Sequence, residues 1–248
     1  MFIIHTNKAY NMSLITIENL QAALPGAVMN IRNNSPIVAI TIDSRNIDAN
    51  HLFVTIVGKL HDAHNFLEEV IKRGANTIIV QQIDDKYIEI IEELKINTII
   101  VPNSIVALQQ IAAYRRLHDI ANAKVIAITG SMGKTTTTRT IAQVLGQFTE
   151  VKSPDKNFNN HIGLPLTIAN TPVNTKILVL EMGTSGHGEI ELLSNIAKPD
   201  VVIITTIAPV HIGNFNDGIE GIIHEKSRIF CGLKKDTGIV ILNEDGQY

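Results

Sequence analysis

Hydrophobic positions along this chain follow two rhythms, and their alternation predicts a layered α/β protein. Apolar runs rich in β-branched residues at 38–42, 52–57, 77–80 and 98–101 read as strands. Segments 16–23, 64–73 and 86–94 carry helical spacing instead; the first is stopped by Pro25 and Gly26, the second by Gly74. Together they make a small α/β unit. Pro102, Asn103 and Ser104 then break the periodicity, placing a capping Asn-Ser pair ahead of a helix at 105–118. A domain boundary is expected there, dividing 1–102 from 103–248.

The second unit has another texture. A strand at 125–129 runs straight into a glycine loop, and a helix follows at 135–145. Runs 177–180 and 201–205 are almost continuously apolar, like strands of a parallel sheet covered on both faces. Helices at 189–196 and 219–230 would supply cover, and 238–242 reads as one more strand. The expected architecture is a small N-terminal α/β domain followed by a mostly parallel α/β domain of the phosphate-loop ATPase type. The chain stops soon after that fresh strand, so this second domain reads as incomplete at its C-terminus.

Composition narrows the class. A chain of 248 residues has room for two modest domains, and 45% hydrophobic with 18% charged residues suits ordinary globular cores. A net charge of -3 gives no reason to expect nucleic-acid binding, and 4% aromatics without Trp disfavours rows of stacked bases. No apolar stretch reaches the roughly 18–20 residues that span a bilayer. Residues 1–11 lack the layout of a signal peptide, and Met12, directly ahead of the first amphipathic segment, is a second candidate start. The single cysteine, Cys231, cannot form an internal disulfide; beside Ile229 and Phe230 in an expected helix, it reads as a buried apolar filler.

The main chemical signal is Gly130-Ser131-Met132-Gly133-Lys134-Thr135-Thr136, set between a strand and a helix. Its glycines free backbone N–H groups to turn toward a polyphosphate, and the helix N-terminus adds unpaired donors and partial positive charge. Lys134 would reach the terminal phosphates and the Thr135 hydroxyl would hold magnesium. The general pattern wants a glycine five residues before Gly133, where this chain has Ile128, so the loop is short. A fortuitous glycine-rich turn is the competing account.

Other candidates stay open on residues alone. Glu181 follows an apolar strand, at the end where α/β sheets bind ligands; it is either a metal ligand or a solvated loop residue. Glu189 reads as a helix N-terminal charge. His211 could ligate a cation, while Lys226, between Glu225 and Arg228, has a solvated surface lysine as its default. Asn157, Asn159 and Asn160 could cap turns and the next helix, or hold a sugar, amide or phosphate. Asp43-Ser44-Arg45 is either a polar turn or a recognition segment. His61, Asp62 and His64 read as helix-start capping rather than a metal cluster.

In combination these motifs resemble the Mur ligase family. The short loop at 129–136 matches that family's own phosphate loop. Matches continue, in order, through Asn159-Asn160 with Ile162-Gly163, Glu181-Met182-Gly183 with Gly188-Glu189-Ile190, Lys198-Pro199-Asp200, His211, and Lys226 with Ile229-Phe230. In the first unit Asp43-Ser44-Arg45, Leu52-Phe53-Val54 and His64-Asn65-Phe66 match, while Ala63 stands where the family usually has glycine. The likeness covers nearly everything after about Met12.

The resemblance implies an ATP-dependent carboxylate–amine ligase of bacterial peptidoglycan precursor synthesis, cytoplasmic and monomeric. The branch implied adds D-alanyl-D-alanine to UDP-N-acetylmuramoyl-tripeptide through an acyl phosphate, without nucleic acid or membrane insertion. It carries over ATP at residues 130–136, two Mg²⁺ ions held by Thr135, Glu181, His211 and Lys226, and a carbamate on Lys226. Lys134 would stabilise the β- and γ-phosphates, Asn159 and Asn160 would position substrate, and Ser44 and Arg45 would meet the uridine-diphosphate sugar. Another Mur-like ligase, adding the third residue or extending folates, and a non-catalytic nucleotide-binding fragment are the alternatives. The family's C-terminal domain has no counterpart in the sequence, so the chain alone is expected to be inactive or nearly so.

Overall fold

Two five-stranded sheets follow one another in the computed structural model, which describes residues 15–58, 61–154, 157–210, 213 and 217–246. The first contains β1 (Val28–Asn30), β2 (Ala39–Thr41), β3 (His51–Val54), β4 (Thr77–Val80) and β5 (Asn97–Ile100), in the order β1-β5-β4-β3-β2. β2 to β5 are parallel, and β1 pairs antiparallel with β5 at the edge. The second contains β6 (Lys124–Thr129), β7 (Val151–Lys152), β8 (Ile177–Glu181), β9 (Val201–Ile204) and β10 (Ile239–Leu242). Its order is β10-β9-β6-β8-β7 and every pairing is parallel. This is the mixed, mostly parallel α/β fold the sequence predicts.

Local chemistry explains the helix starts. In α1 (Ile17–Ala23) the Thr16 side chain and Asn19 form a reciprocal capping box. In α4 (Ser104–His118) the Asn103 side chain accepts from the amides of Ile105 and Val106. α2 (Leu67–Lys72) and α3 (Ile88–Glu93) are each entered through a 3-10 turn, capped by Asp62 and Asp84. The single helices expected at 64–73 and 86–94 are therefore two-part elements, with Asp62 in the capping role expected of it.

Alternation across the first sheet divides its side chains between two cores. Phe53, Ile78 and Val80 face one way, onto Leu67, Val70 and Ile91. Leu52, Val54, Ile79 and Ile99 face the other way, into a larger cluster shared with α1 and α4. That cluster continues through α6 (Gly163–Ala169) and α7 (Glu189–Ala197) to Val125, Ala127, Leu178, Leu180 and Val202 of the second sheet. α4, α6 and α7 thus pack on one face of this sheet, whereas α5 (Lys134–Leu145) packs on β6, β7 and β8 from the opposite face. The β6–α5 junction consequently lies where successive crossovers change faces, the position at which α/β sheets bind ligands.

Two adjacent arginines hold the layer together. Arg115, fully buried, donates to the carbonyls of Ala169 and Thr171 at the end of α6 and to Asp119. Arg116 donates to the carbonyls of Ala197 and Lys198 at the end of α7. Each satisfies terminal carbonyls that a helix leaves unpaired.

α8 (Gly218–Ser227) tightens into a 3-10 turn at Arg228–Gly232 instead of continuing as the helix expected to 230. Ile229 turns inward and Cys231 outward, so Cys231 is exposed and not the core filler its neighbours suggested. The register is fixed by Gly232, which lies so close to Ser194 on α7 that a Cβ would overlap its backbone carbonyl.

Candidate nucleotide site and adjoining cavities

The glycine loop lies between β6 and α5 as expected. Gly130 (φ 149°) and Gly133 (φ 82°) adopt backbone conformations that side chains disfavour. An added Cβ on Gly130 would overlap the Thr205 hydroxyl, which lies 2.6 Å from the carbonyl oxygen of Met132. Just beyond β9 the chain braces the loop: Ser131 donates its amide to the Thr206 carbonyl at 2.7 Å and its hydroxyl to the Ala208 carbonyl at 2.8 Å. Among the described residues no side chain caps α5, so its first-turn amides remain available to an anion. Met132 and Thr136 are exposed on the outer side.

Glu181 ends β8 and is buried, at 5% exposure. One carboxylate oxygen accepts from the Thr135 hydroxyl at 2.7 Å and the other from the Asn159 amide at 2.8 Å. The solvated-loop account of Glu181 is therefore wrong. The Asn160 side-chain oxygen accepts from the amides of Ile162 and Gly163 at 3.1 and 2.8 Å, just ahead of α6, and Asn160 lines the cavity as well.

Lys134 lies half-buried in the loop, its ammonium donating to the carbonyl of Gly130 at 2.8 Å. Burial lowers its pKa, opposed by the Glu181 carboxylate. Lys226 is 6% exposed and not a surface lysine. Burial first, and the Lys134 charge second, bring its pKa down to about 8, with Glu225 pulling the other way. Glu225 is itself buried and spends its carboxylate on the amides of Gly188 and Ile190, at 2.8 and 2.9 Å, at the start of α7. This clamp seats α8 and brings Lys226 to the cavity.

Gly130, Ser131, Lys134, Asn159, Asn160 and Lys226 line one cavity of about 320 Å³, together with Glu189 and the 183–185 segment. Ser44 and Arg45 lie elsewhere, on a cavity of about 700 Å³ beside β2 and β3. There Arg45 is exposed and forms a two-point pair with Asp43, at 2.8 Å for each contact. His211, the remaining expected ligand, lies outside the described residues. Among the described residues no group of three His, Cys, Asp or Glu gathers as a metal cluster, and His64 instead bonds Asp62 at 2.6 Å. Thr205, Glu225 and the arginine pair were missed in the sequence because each acts on backbone far away in the chain.

Residues 128–248 match the family model described as the Mur ligase middle domain. This chain carries a Mur ligase middle domain. The chain is 36% identical over 232 residues to the UDP-N-acetylmuramoyl-tripeptide--D-alanyl-D-alanine ligase of Bacillus subtilis, a match covering 93% of this chain and 49% of that relative. It superposes with a TM-score of 0.83 and 30% identity on the UDP-N-acetylmuramoylalanyl-D-glutamyl-2,6-diaminopimelate--D-alanyl-D-alanyl ligase of Acinetobacter baumannii, covering 96% of this chain and 51% of that one. MurF of Thermotoga maritima, solved with ADP, gives 0.70 and 29%, over 84% of this chain and 46% of that one. The chain spans about half the length of the curated relatives it matches. No described helix is long and apolar enough to cross a membrane.

Proposed function

We propose that this chain supplies the ATP- and nucleotide-sugar-binding parts of a ligase that joins the terminal carboxylate of UDP-N-acetylmuramoyl-tripeptide to the amine of D-alanyl-D-alanine. The observation that carries this reading is the short loop from Gly130 to Thr135 with the Glu181 carboxylate against the Thr135 hydroxyl. Similarity to enzymes with this reaction in their names supports the choice of substrates. In this reading residues 1–102 bind the nucleotide sugar, through Ser44 and Arg45, and residues 103–248 bind ATP. Such a precursor ligase works in the bacterial cytoplasm, as a monomer.

The residues suit the chemistry. The α5 amides, Ser131 and Lys134 would grip the β- and γ-phosphates, and Lys134 would follow charge as it shifts onto the transferring oxygens. Thr135 and Glu181 are hard oxygen donors of the kind magnesium selects, with His211 assigned by resemblance alone. Magnesium, when bound, would neutralise phosphate charge and orient the γ-phosphoryl group. Asn159 and Asn160 would hold the attacking carboxylate in line. It attacks the γ-phosphorus, ADP leaves, and the D-alanyl amine then displaces phosphate from the acyl phosphate.

Lys226 we assign as a carbamate: its neutral amine adds to CO₂ and releases a proton, turning a cation into an anion on the cavity that Lys134 also lines. With a pKa of about 8, about a tenth of the amine is neutral at pH 7, against roughly one in three thousand for an ordinary lysine. The test is calorimetric titration of the chain with ATP and Mg²⁺, and separately with UDP-N-acetylmuramoyl-tripeptide. Lys134→Ala should abolish the first and spare the second, while Arg45→Ala should do the reverse. ATP binding indifferent to Lys134→Ala would end the reading.

A further inference from the structure

Thr205, the first residue after β9, is half-buried and does not line the nucleotide cavity, yet its polar groups go to the phosphate loop and the strand end beneath it. Its amide donates to the Thr129 carbonyl at 2.9 Å. Its hydroxyl donates to the Met132 carbonyl at 2.6 Å, with the Thr129 carbonyl a longer second acceptor at 3.2 Å. Met132 also forms an isolated antiparallel bridge with Thr206, which holds it against the β9 exit.

A trans peptide points its C=O and N–H in opposite directions, so one partner fixes where both groups aim. In the 130–131 peptide the Ser131 amide goes to the Thr206 carbonyl at 2.7 Å, and the Gly130 carbonyl opposite it meets the Lys134 ammonium at 2.8 Å. The β9 exit therefore lies on one side of the loop and Lys134 on the other. In the 132–133 peptide the order is reversed. There the carbonyl, of Met132, goes to Thr205, and the Gly133 amide is left facing the Lys134 side. Gly133, at φ 82°, accepts this arrangement and stands immediately ahead of α5, so its amide joins the unpaired amides of the first helical turn. Without the hydroxyl, a glycine at 133 leaves the peptide free to rotate. A carbonyl turned inward would then oppose a phosphate oxygen with its own negative end.

We propose that Thr205 is a positioning residue for the nucleotide phosphates: by holding the Met132 carbonyl outward, its hydroxyl presents the Gly133 amide to a phosphate oxygen, without touching the nucleotide itself. The role belongs to the hydroxyl and not to the bulk of the side chain. This inference rests on the nucleotide reading of the loop.

The test compares the wild-type chain with Thr205→Val, which keeps the shape and loses the hydroxyl, and Thr205→Ser, which keeps the hydroxyl. Calorimetry measures inorganic triphosphate and ATP, each with Mg²⁺, and separately UDP-N-acetylmuramoyl-tripeptide. One misdirected amide facing a charged ligand predicts about tenfold weaker triphosphate and ATP binding to Thr205→Val, with Thr205→Ser within about threefold of wild type. The UDP ligand should bind all three proteins alike. In nitrogen-15-labelled wild type the Gly133 amide resonance should move downfield as triphosphate is added, and it should move less in Thr205→Val. The wild-type spectrum keeps the test decisive should the valine variant misfold. An unmoved Gly133 amide in wild type, undiminished ATP binding to Thr205→Val, or equal losses in the valine and serine variants would each overturn the proposal while leaving the nucleotide reading intact. A matching loss for the UDP ligand would overturn it too, reducing Thr205 to a general support of the fold. No binding of triphosphate or ATP to wild type would remove the nucleotide reading and this inference with it.

Discussion

Replacing Lys226 with methionine tests how this site holds charge. The side chain is 94% buried by its 6% exposure, and its pKa stands at about 8 rather than 10.5 because burial and the Lys134 ammonium both oppose protonation. Between those two values the folded chain binds fewer protons than the unfolded chain, so stability rises with pH across that window. Conversely, the stabilisation present above pH 10.5 is lost as pH falls through 8. The fall from 10.5 to about 8 corresponds to at most about 3 kcal/mol at pH 7. Because the ammonium borders an open cavity, an effect of about 2 kcal/mol is expected. Lys226→Met keeps the length of the apolar stem and removes the charge. In CO₂-free buffer, urea unfolding should show the variant about 2 kcal/mol more stable than wild type at pH 7, with the gap below about 1 kcal/mol at pH 10. A gap that does not change with pH, or a variant less stable at pH 7, would refute the reasoning.

Gly130→Ala should destabilise the chain by about 1–3 kcal/mol, since it combines a strained backbone with overlap on the Thr205 hydroxyl; adding Thr205→Ala should recover part of the loss in thermal unfolding, and additive losses would contradict the contact. Glu181→Gln should weaken ATP binding at least about tenfold with Mg²⁺ present and leave binding in EDTA unchanged, as read by calorimetry. Arg115→Met should cost about 3–5 kcal/mol in urea unfolding, because the carbonyls of Ala169 and Thr171 and the Asp119 carboxylate lose a buried partner together; a loss below about 1 kcal/mol would show that water replaces it.

Legibility in the sequence followed the range of the interaction. β1, with three residues, and β7, with two, are too short to show a period. α6 is buried at every position from Gly163 to Ala169, so it lacks the polar face that marks a helix. Glu225, Lys226 and Arg228 read as a solvated charged stretch, yet the first two are buried, one capping α7 and the other lining the cavity. Arg115 and Arg116, in the last turn of α4, are the buried clasps of α6 and α7, and nothing local in the sequence marks them as buried.

What the chain determined by itself was local: alternating strands and helices, the caps at Thr16 and Asn103, and a glycine loop whose seven residues lie side by side in sequence. Backbone preference and hydrogen bonding between near neighbours suffice for these. Only the tertiary structure decided which charges are buried, that Glu181 closes on Thr135 and Asn159, that Thr205 braces the loop, and that Lys134 and Lys226 line one cavity. Those outcomes depend on crossovers and on backbone groups tens of residues away, whose positions exist only once both sheets have packed on α4 and α6.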